Sequence, residues 1–461
     1  MAPSVVNPMY SKAIEAVLKR KKLRPGERIL VEKGGKRYEG LLMPRIELGD
    51  RDCIVLKLDN GYNIGVRFWP GIRIEKSDGR EPKEVLEEEE YELGKTKKSL
   101  LRLSFDPKKP PVSLIATGGT IASRVDYRTG GVRMQMKPEE FLYNVPELAE
   151  IVNLRHISNP FTKASEDMDP HDWPEIAKEA AKGLNSGDHG VIITHGTDTL
   201  HFTAAALSFF LRNLSKPVVL VGSQRSSDRG SSDAGMNLIC AARVAVSDIA
   251  EVGICMHGSP DDSYCFFLRG TKVRKMHTSR RDAFRPINDL PLAKVWPDGK
   301  VDKINPVQKK RSEGKVELDM KFDPNVAILK AYPGSDPGVI DYHVRRGVKG
   351  FVIEGTGLGH VPTFAKKSWI STIKKHSESI PFVVAPQTLY GRVNPDVYTN
   401  LRILFHEAKA IPGEDMLPET AYVKLGWVLG HTKSMDKIRE MMLTNYAGEI
   451  TTRSLPETYL Y

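Results

Sequence analysis

The chain has 461 residues, 40% hydrophobic and 27% charged, with 68 Lys/Arg against 58 Asp/Glu and a formal net charge of +10. At roughly 100–200 residues per domain this is a folded protein of several domains, and the composition excludes global disorder. No stretch offers the ~18 uninterrupted apolar residues of a membrane-spanning helix, and Lys12 and Glu15 break up the opening segment, so no signal peptide is expected.

Residues 5–20 read as one short helix with Ala13, Ile14 and Val17 on one side. After Arg24-Pro25-Gly26 come alternating segments, Arg28–Glu32, Arg37–Met43, Asp52–Leu58 and Asn63–Phe68, separated by Gly34-Gly35, Gly49-Asp50 and Asn60-Gly61. Short strands between such turns predict a small antiparallel, SH3-like β-barrel within residues 1–82. Residues 1–110 hold 24 Lys/Arg against 18 Asp/Glu, a charge that suits either an RNA backbone or a merely solvated surface. Residues 83–110, with Glu87–Glu90, Lys95, Lys97 and Lys98, read as a charged linker.

From Pro111 the texture changes. Val112–Ala116, Gly190–Thr194, Val218–Gly222, Val252–Met256, Val326–Ala331, Gly350–Glu354 and Phe382–Ala385 are short, nearly all apolar and rich in β-branched residues. Such runs suit strands buried on both faces of a parallel sheet. Asp172–Leu184 and Leu200–Asn213 carry helical periodicity between them. The fold class is α/β: a larger doubly wound domain over 111–310, a polar bridge at Val301–Asp323, and a smaller α/β domain with a tail over 324–461. The four cysteines (Cys53, Cys240, Cys255, Cys265) lack paired short spacing, which suits reduced thiols in a cytoplasmic protein.

Open α/β sheets gather their chemistry beyond the carboxyl ends of strands. Two strands here end in hydroxyl-bearing turns, Ala116-Thr-Gly-Gly-Thr120 and Thr194-His-Gly-Thr197-Asp198-Thr199. A third strand is followed by the polar segment Val221-Gly-Ser-Gln-Arg-Ser-Ser-Asp-Arg-Gly-Ser-Ser-Asp233. A threonine hydroxyl needs a base before it can attack, and a lysine serves as one when a carboxylate orients it. Asp198 adjoins Thr197, and Lys275 in Arg274-Lys275-Met276-His277 would complete the set. On the residues alone, ordinary loops between strand and helix fit these turns equally well.

The stretch Val112–Ala447 resembles the bacterial-type L-asparaginase/glutaminase family. The matching motifs are Ala116–Ala122 (ATGGTIA), Ser165–Met168 (SEDM), Thr194–Thr199 (THGTDT), Lys216–Gly222, Arg225–Asp228 and Ser231–Asn237. The resemblance implies hydrolysis of a side-chain amide, with Thr120 as attacking hydroxyl and Tyr127 assisting from a mobile lid. Thr197, Asp198 and Lys275 form a second catalytic group, and which threonine attacks first stays open. Ser165 and Asp198 would grip the α-carboxylate and α-amino ends of the substrate, with Gly119, Glu166, Gly196 and His360 also at the substrate. Glu166 stands where a glutamine is usual, Ser223 replaces an alanine, and His360 takes the place of an asparagine that reaches a neighbouring subunit's substrate. Gly355-Thr-Gly-Leu-Gly-His360 imitates a dinucleotide loop, but no second βαβ signature accompanies it. His195 and His277 lack ligand-like spacing, so no metal is expected.

A basic barrel ahead of this core, together with the closing Ala447-Gly-Glu-Ile450, resembles the D-type subunit family of archaeal glutamyl-tRNA(Gln) amidotransferases. That implies a glutaminase whose ammonia converts Glu-tRNA(Gln) to Gln-tRNA(Gln). It also implies a homodimer, joined as a heterotetramer to a second amidotransferase subunit of the E type. No cofactor is expected in this chain; ATP and Mg2+ belong to the partner. Two alternatives stand beside it, a free-standing cytoplasmic L-asparaginase and an inactive amidase fold kept as an RNA-binding scaffold. The intact Thr120, Thr197, Asp198 and Lys275 argue against the scaffold.

Overall fold

A computed structural model of the chain describes residues 10–43, 51–57, 63–77, 106–119, 145, 147–226 and 232–461, and the backbone of 123–125 and 132–134. The first helix, Lys12–Arg20, turns Ile14 and Leu18 inward. It packs on strands β1 (Arg28–Lys33), β2 (Lys36–Leu42), β3 (Cys53–Lys57), β4 (Asn63–Arg67) and β5 (Arg73–Lys76), an antiparallel sheet in the order β4-β3-β2-β1-β5. Gly34 and Gly35, at φ +56° and +76°, make the two-residue turn between β1 and β2 that only residues at ease with positive φ can form. Ile29 and Val31, then Ile54 and Leu56, alternate inward to a core shared with Leu23, Leu42, Val66 and Ile74. Strand β5 is not among the expected segments: Arg73-Ile-Glu-Lys76 has one apolar residue and no visible alternation. The linker expected over 83–110 lies outside the described residues up to 105.

The larger sheet has eight strands. In chain order this domain runs through β6 (Pro111–Ala116), a separate short hairpin of β7 (Ser123–Val125) and β8 (Val132–Met134), and then β9 (Asn153–Ser158) and β10 (Gly190–Thr194). Next in the chain come β11 (Leu211–Arg212), β12 (Val218–Val221), β13 (Val252–His257), β14 (Cys265–Arg269), β15 (Val273–Lys275), β16 (Phe284–Pro286), β17 (Ala293–Val295), β18 (Val301–Lys303) and β19 (Glu317–Leu318). The sheet order is β18-β17-β14-β13-β12-β10-β6-β9. From β9 to β13 neighbours run parallel, while β14, β17 and β18 extend the sheet antiparallel. Helices Trp173–Asn185 and Leu200–Phe210 cover one face, and Ala234–Ala245 covers the other. The polar stretch expected to bridge the domains starts as edge strand β18, and its β19 pairs with β11.

The second sheet, β20 (Val326–Lys330), β21 (Gly350–Gly355), β22 (Phe382–Pro386) and β23 (Ile411–Pro412), is parallel and in chain order. Helix Pro418–His431 lies between the two sheets. Its Val423, Leu425, Trp427 and Val428 share one core with Val352 and Val383 of the small sheet and with Phe209 of the large domain. Trp427 stacks on Phe209 with ring centroids 5.7 Å apart. Among the described residues no helix is long and apolar enough to cross a membrane.

Candidate active site

Strands β6 and β10 are parallel neighbours with Ala116 paired to Thr194, so the turns that follow them emerge side by side. Thr117 fastens them: its N–H and its hydroxyl both donate to the Thr194 carbonyl, at 3.1 and 2.8 Å. The turns then pack backbone on backbone. A Cβ on Gly119 (φ +83°) would lie 2.3 Å from the Gly196 nitrogen, and one on Gly196 would lie 2.7 Å from Ser165. Glycine is required at both positions because a side chain would occupy the Gly196 main chain in the first case and the Ser165 side chain in the second. Gly119, Gly196 and Ser165 are therefore in one stack.

Lys275 enters this corner from β15, which pairs with β16. Its Nζ donates to Thr197 Oγ1 at 2.8 Å and to Asp198 Oδ1 at 2.6 Å. Thr197 is buried and the Lys275 side chain is 10% exposed, whereas the Asp198 side chain is 62% exposed. The amine is shielded from water while the carboxylate opens to it. Ser165 Oγ accepts the Asp198 N–H at 3.2 Å, and the Ser165 carbonyl accepts the Thr199 hydroxyl at 2.6 Å. Glu166 is the exposed neighbour of Ser165 in the same short 3-10 turn.

His195 braces the turn from beneath. It is fully buried, with Nδ1 2.7 Å from the Gly196 carbonyl and Nε2 2.9 Å from Thr203 Oγ1. A carbonyl can only accept, so Nδ1 carries the proton and Nε2 accepts from the threonine. Burial pushes this imidazole down to about 4, which keeps it neutral. His201, at the start of the helix that follows, is pushed down to about 3 by burial and then by Arg274 and Lys275. A cavity of about 460 Å³ opens beside Lys275, walled by Asp198, His201, Phe202, Arg274 and Glu419. Burial raises the Glu419 carboxyl, and Arg274, paired with it, opposes the rise.

The described part of the next motif, Ser232–Asn237, shapes a third turn. Gln224 N–H donates to both Asp233 carboxylate oxygens at 3.0 Å, and Asn237 Nδ2 donates to Asp233 and to the Gly222 carbonyl, each at 3.0 Å. His257 Nδ1 sits 2.6 Å from Asn237 Oδ1. Burial raises the Asp233 carboxyl. Sequence reasoning misses Asp233, Asn237 and His257 as individual residues; the first two lie within a matching motif, and nothing local points to His257.

The structure brings Gly119, Ser165, Glu166, Gly196, Thr197, Asp198 and Lys275 together. His360 is elsewhere: its Nδ1 lies 3.2 Å from the Thr356 carbonyl and its ring 5.4 Å from Tyr398, on the loops of the second sheet. Thr120, which follows Gly119, and Tyr127 lie outside the described residues. Among the described residues no group of three or more His, Cys, Asp or Glu is arranged to hold a metal.

Comparison with known families matches this layout. Residues 111–308 match the family model for asparaginase, N-terminal; 325–442 match the glutaminase/asparaginase C-terminal domain; and 23–76 match the GatD N-terminal domain. Over 455 residues the chain is 53% identical to the D-type subunit of glutamyl-tRNA(Gln) amidotransferase from Pyrococcus furiosus, covering 97% of this chain and 99% of that protein. The corresponding protein of Methanothermobacter thermautotrophicus is 46% identical over 431 residues, 93% of this chain and 94% of its own. The chain belongs to the GatD family of amidotransferase subunits. Solved structures similar to it include the thermostable L-asparaginase from Thermococcus kodakarensis, with TM-score 0.65 and 32% identity over 74% of this chain and 99% of the asparaginase. L-asparaginase I from Vibrio cholerae gives 0.61 and 27%, over 74% and 99%. The asparaginase match begins at residue 111, so the front sheet is what the GatD family adds to the asparaginase fold.

Proposed function

We propose that this chain is the glutaminase subunit of a tRNA-dependent amidotransferase, hydrolysing the glutamine side-chain amide so that its ammonia converts Glu-tRNA(Gln) to Gln-tRNA(Gln). The observation that carries the chemistry is the Lys275 amine held between Thr197 Oγ1 and Asp198 Oδ1. In this reading the Thr120 hydroxyl adds to the amide carbon with Tyr127 assisting, and backbone N–H groups at the Thr197 turn hold the oxyanion. The C–N bond then breaks, ammonia leaves with a proton, and the acyl ester is cleaved by water. Thr197 and Lys275 take the proton from the attacking oxygen at each stage and return it to the leaving group, and Asp198 compensates the charge gained by the amine. The exposed edge of Asp198 and the Ser165 hydroxyl suit the α-ammonium and α-carboxylate of the substrate, beside Glu166. His360 would serve a neighbouring copy in a homodimer. ATP and Mg2+ act at the second, E-type partner of the heterotetramer.

The match to asparaginases over nearly their whole length favours one other reading, a free-standing L-asparaginase. The front sheet domain and the full-length likeness to GatD proteins weigh against it. The test is the glutaminase rate of the chain with and without its partner and Glu-tRNA(Gln). Stimulation of about tenfold or more is expected, since wasted ammonia must be held back; an equal rate for the chain alone sinks the proposal.

A further inference from the structure

The charge of this chain is concentrated at its front. Residues 10–77 hold 16 Lys/Arg against 9 Asp/Glu, so +7 of the net +10 falls within this short stretch. Its densest part is Lys19, Arg20, Lys21, Lys22 and Arg24, all exposed. Leu18 and Leu23 are buried on either side of the turn and pin it into the domain core, so the cations between and around them point away from it. The helix closes there with Lys21 N–H on the Val17 carbonyl and Leu23 N–H on the Leu18 carbonyl, both 2.9 Å. Lys22, at φ +55°, occupies the left-handed position after the helix that favours glycine. A lysine is kept where the backbone would be easier without a side chain. Among the described residues the one carboxylate within 4.0 Å of the charged ends of these five side chains is Glu75, 3.9 Å from Lys21; Glu27 accepts the Arg24 main-chain N–H at 2.7 Å and pairs with Lys76 instead. The carbonyl end of the helix favours the positive cluster but leaves its outer side unneutralised.

This charge lies in the part of the chain that asparaginases lack and that the tRNA-named relatives share. We propose that the face formed by Lys19, Arg20, Lys21, Lys22 and Arg24 docks the phosphate backbone of the tRNA carrying the glutamyl ester, an inference that rests on the function proposed above. Flexible Lys and Arg side chains on a rigid turn position a nucleic acid without reading its bases, so the contact contributes affinity and orientation and weakens with salt.

The test uses the full-length chain and a fluorescein-labelled tRNA(Gln) transcript, with Kd measured by anisotropy over a series of KCl concentrations. Replacing Lys19, Arg20 and Lys21 together by Gln is expected to raise Kd about tenfold and to flatten the slope of log Kd against log salt by ~0.7–0.9 per lost phosphate contact. Glutaminase turnover in the absence of RNA stays unchanged, because none of the three is among the residues that bond to Lys275 or wall its cavity. A second variant, Lys22→Gly, relaxes the backbone while removing one cation, so weaker and less salt-dependent binding with an undiminished urea midpoint separates docking from folding. Unchanged Kd and slope in both variants overturn the proposal. So does loss of co-purification with the partner protein at unaltered tRNA affinity, which makes the face a protein interface. Failure of the functional reading shows separately, as a parent glutaminase rate that the partner and Glu-tRNA(Gln) do not change.

Discussion

At Lys275 one amine serves two acceptors, Thr197 and Asp198. Thr197 is buried, and among the described residues only the amine connects its hydroxyl to the carboxylate of Asp198. Lys275→Met keeps the length of the side chain and removes the proton carrier. It should lower glutaminase kcat by roughly 10²–10⁴-fold, the usual worth of a positioned acid–base group, with KM nearly unchanged. Steady-state kinetics at saturating glutamine check this, and a variant within a few-fold of the parent removes Lys275 from the chemistry. The two buried histidines set a pH dependence of stability instead. Unfolded, each takes its proton near 6.5; folded, His195 does so at about 4 and His201 at about 3. Between those values the unfolded chain binds more protons, so their contribution is complete above pH 6.5 and declines as the pH falls towards 4 and 3. In full these shifts are worth about 3 kcal/mol for His195 and about 5 kcal/mol for His201. The urea midpoint should therefore drop more steeply between pH 6.5 and 4 in the parent than in His201→Gln, and parallel curves for the two would contradict it. In the sequence His195 shows only that it lacks ligand spacing; its place as a neutral strut under Gly196 depends on a burial that no local pattern reveals.

On the scale of elements, the site is two strand-end turns stacked against a third segment, and glycine makes the stack possible. Gly119→Ala adds a methyl 2.3 Å from the Gly196 nitrogen at a φ of +83°, so both space and backbone oppose it. Gly347→Ala meets only the second obstacle, since φ is +90° but nothing lies within 4 Å of its Cβ. The expected result is a loss of ~1–2 kcal/mol with unaltered kcat for Gly347→Ala. Gly119→Ala should lose at least ~100-fold in kcat, as misplacing a reacting group by about 1 Å does, with the far-ultraviolet circular dichroism retained. Equal kinetics for the two variants would sink the stacking argument. Which elements are legible in the sequence follows from the same packing. Strands β6, β10, β12, β13, β21 and β22 lie inside a sheet and are continuous apolar runs, close to their expected bounds; β20, at the edge of the second sheet, is apolar too but only partly buried. Edge strands β9 (Asn-Leu-Arg-His-Ile-Ser) and β18 (Val-Asp-Lys) mix polar residues because one side meets water, so neither stands out in the sequence. Lys275 stands on a three-residue strand and meets Thr197 across 78 positions of sequence, a pairing that resemblance nominated and local pattern could not.

Across the whole molecule, the short connection that delivers Lys275 is held by the far end of the chain. Between β14 and β15, the Thr271 hydroxyl donates to the Ala447 carbonyl at 3.0 Å, and the Thr271 carbonyl accepts from Thr420 at 2.9 Å. Lys272, wholly buried, donates to Asp415 Oδ2 at 2.8 Å; Asp415 is also buried and accepts the Thr451 N–H at 3.0 Å. Burial pushes the Lys272 ammonium down, and Asp415 opposes that shift. A second enclosed pair, Lys424 with Glu449 at 2.6 Å, fixes the same tail to helix Pro418–His431. A buried ion pair is a weak source of stability as a whole but costly to break from one side, because the survivor stays desolvated and unpaired. Asp415→Ala should therefore cost about 3–5 kcal/mol. Combining it with Lys272→Met should recover much of that loss, since both charges are then gone. Urea unfolding of the parent, Asp415→Ala, Lys272→Met and the double variant measures the coupling as a cycle. Lys272 is three residues from Lys275, so kcat should fall in Asp415→Ala and return only in part in the double variant, where the connection is repacked but no longer tied to the tail. Additive losses around the cycle would mean that the two side chains do not act as a pair, and that the tail's hold on the active-site lysine runs through Thr271 alone.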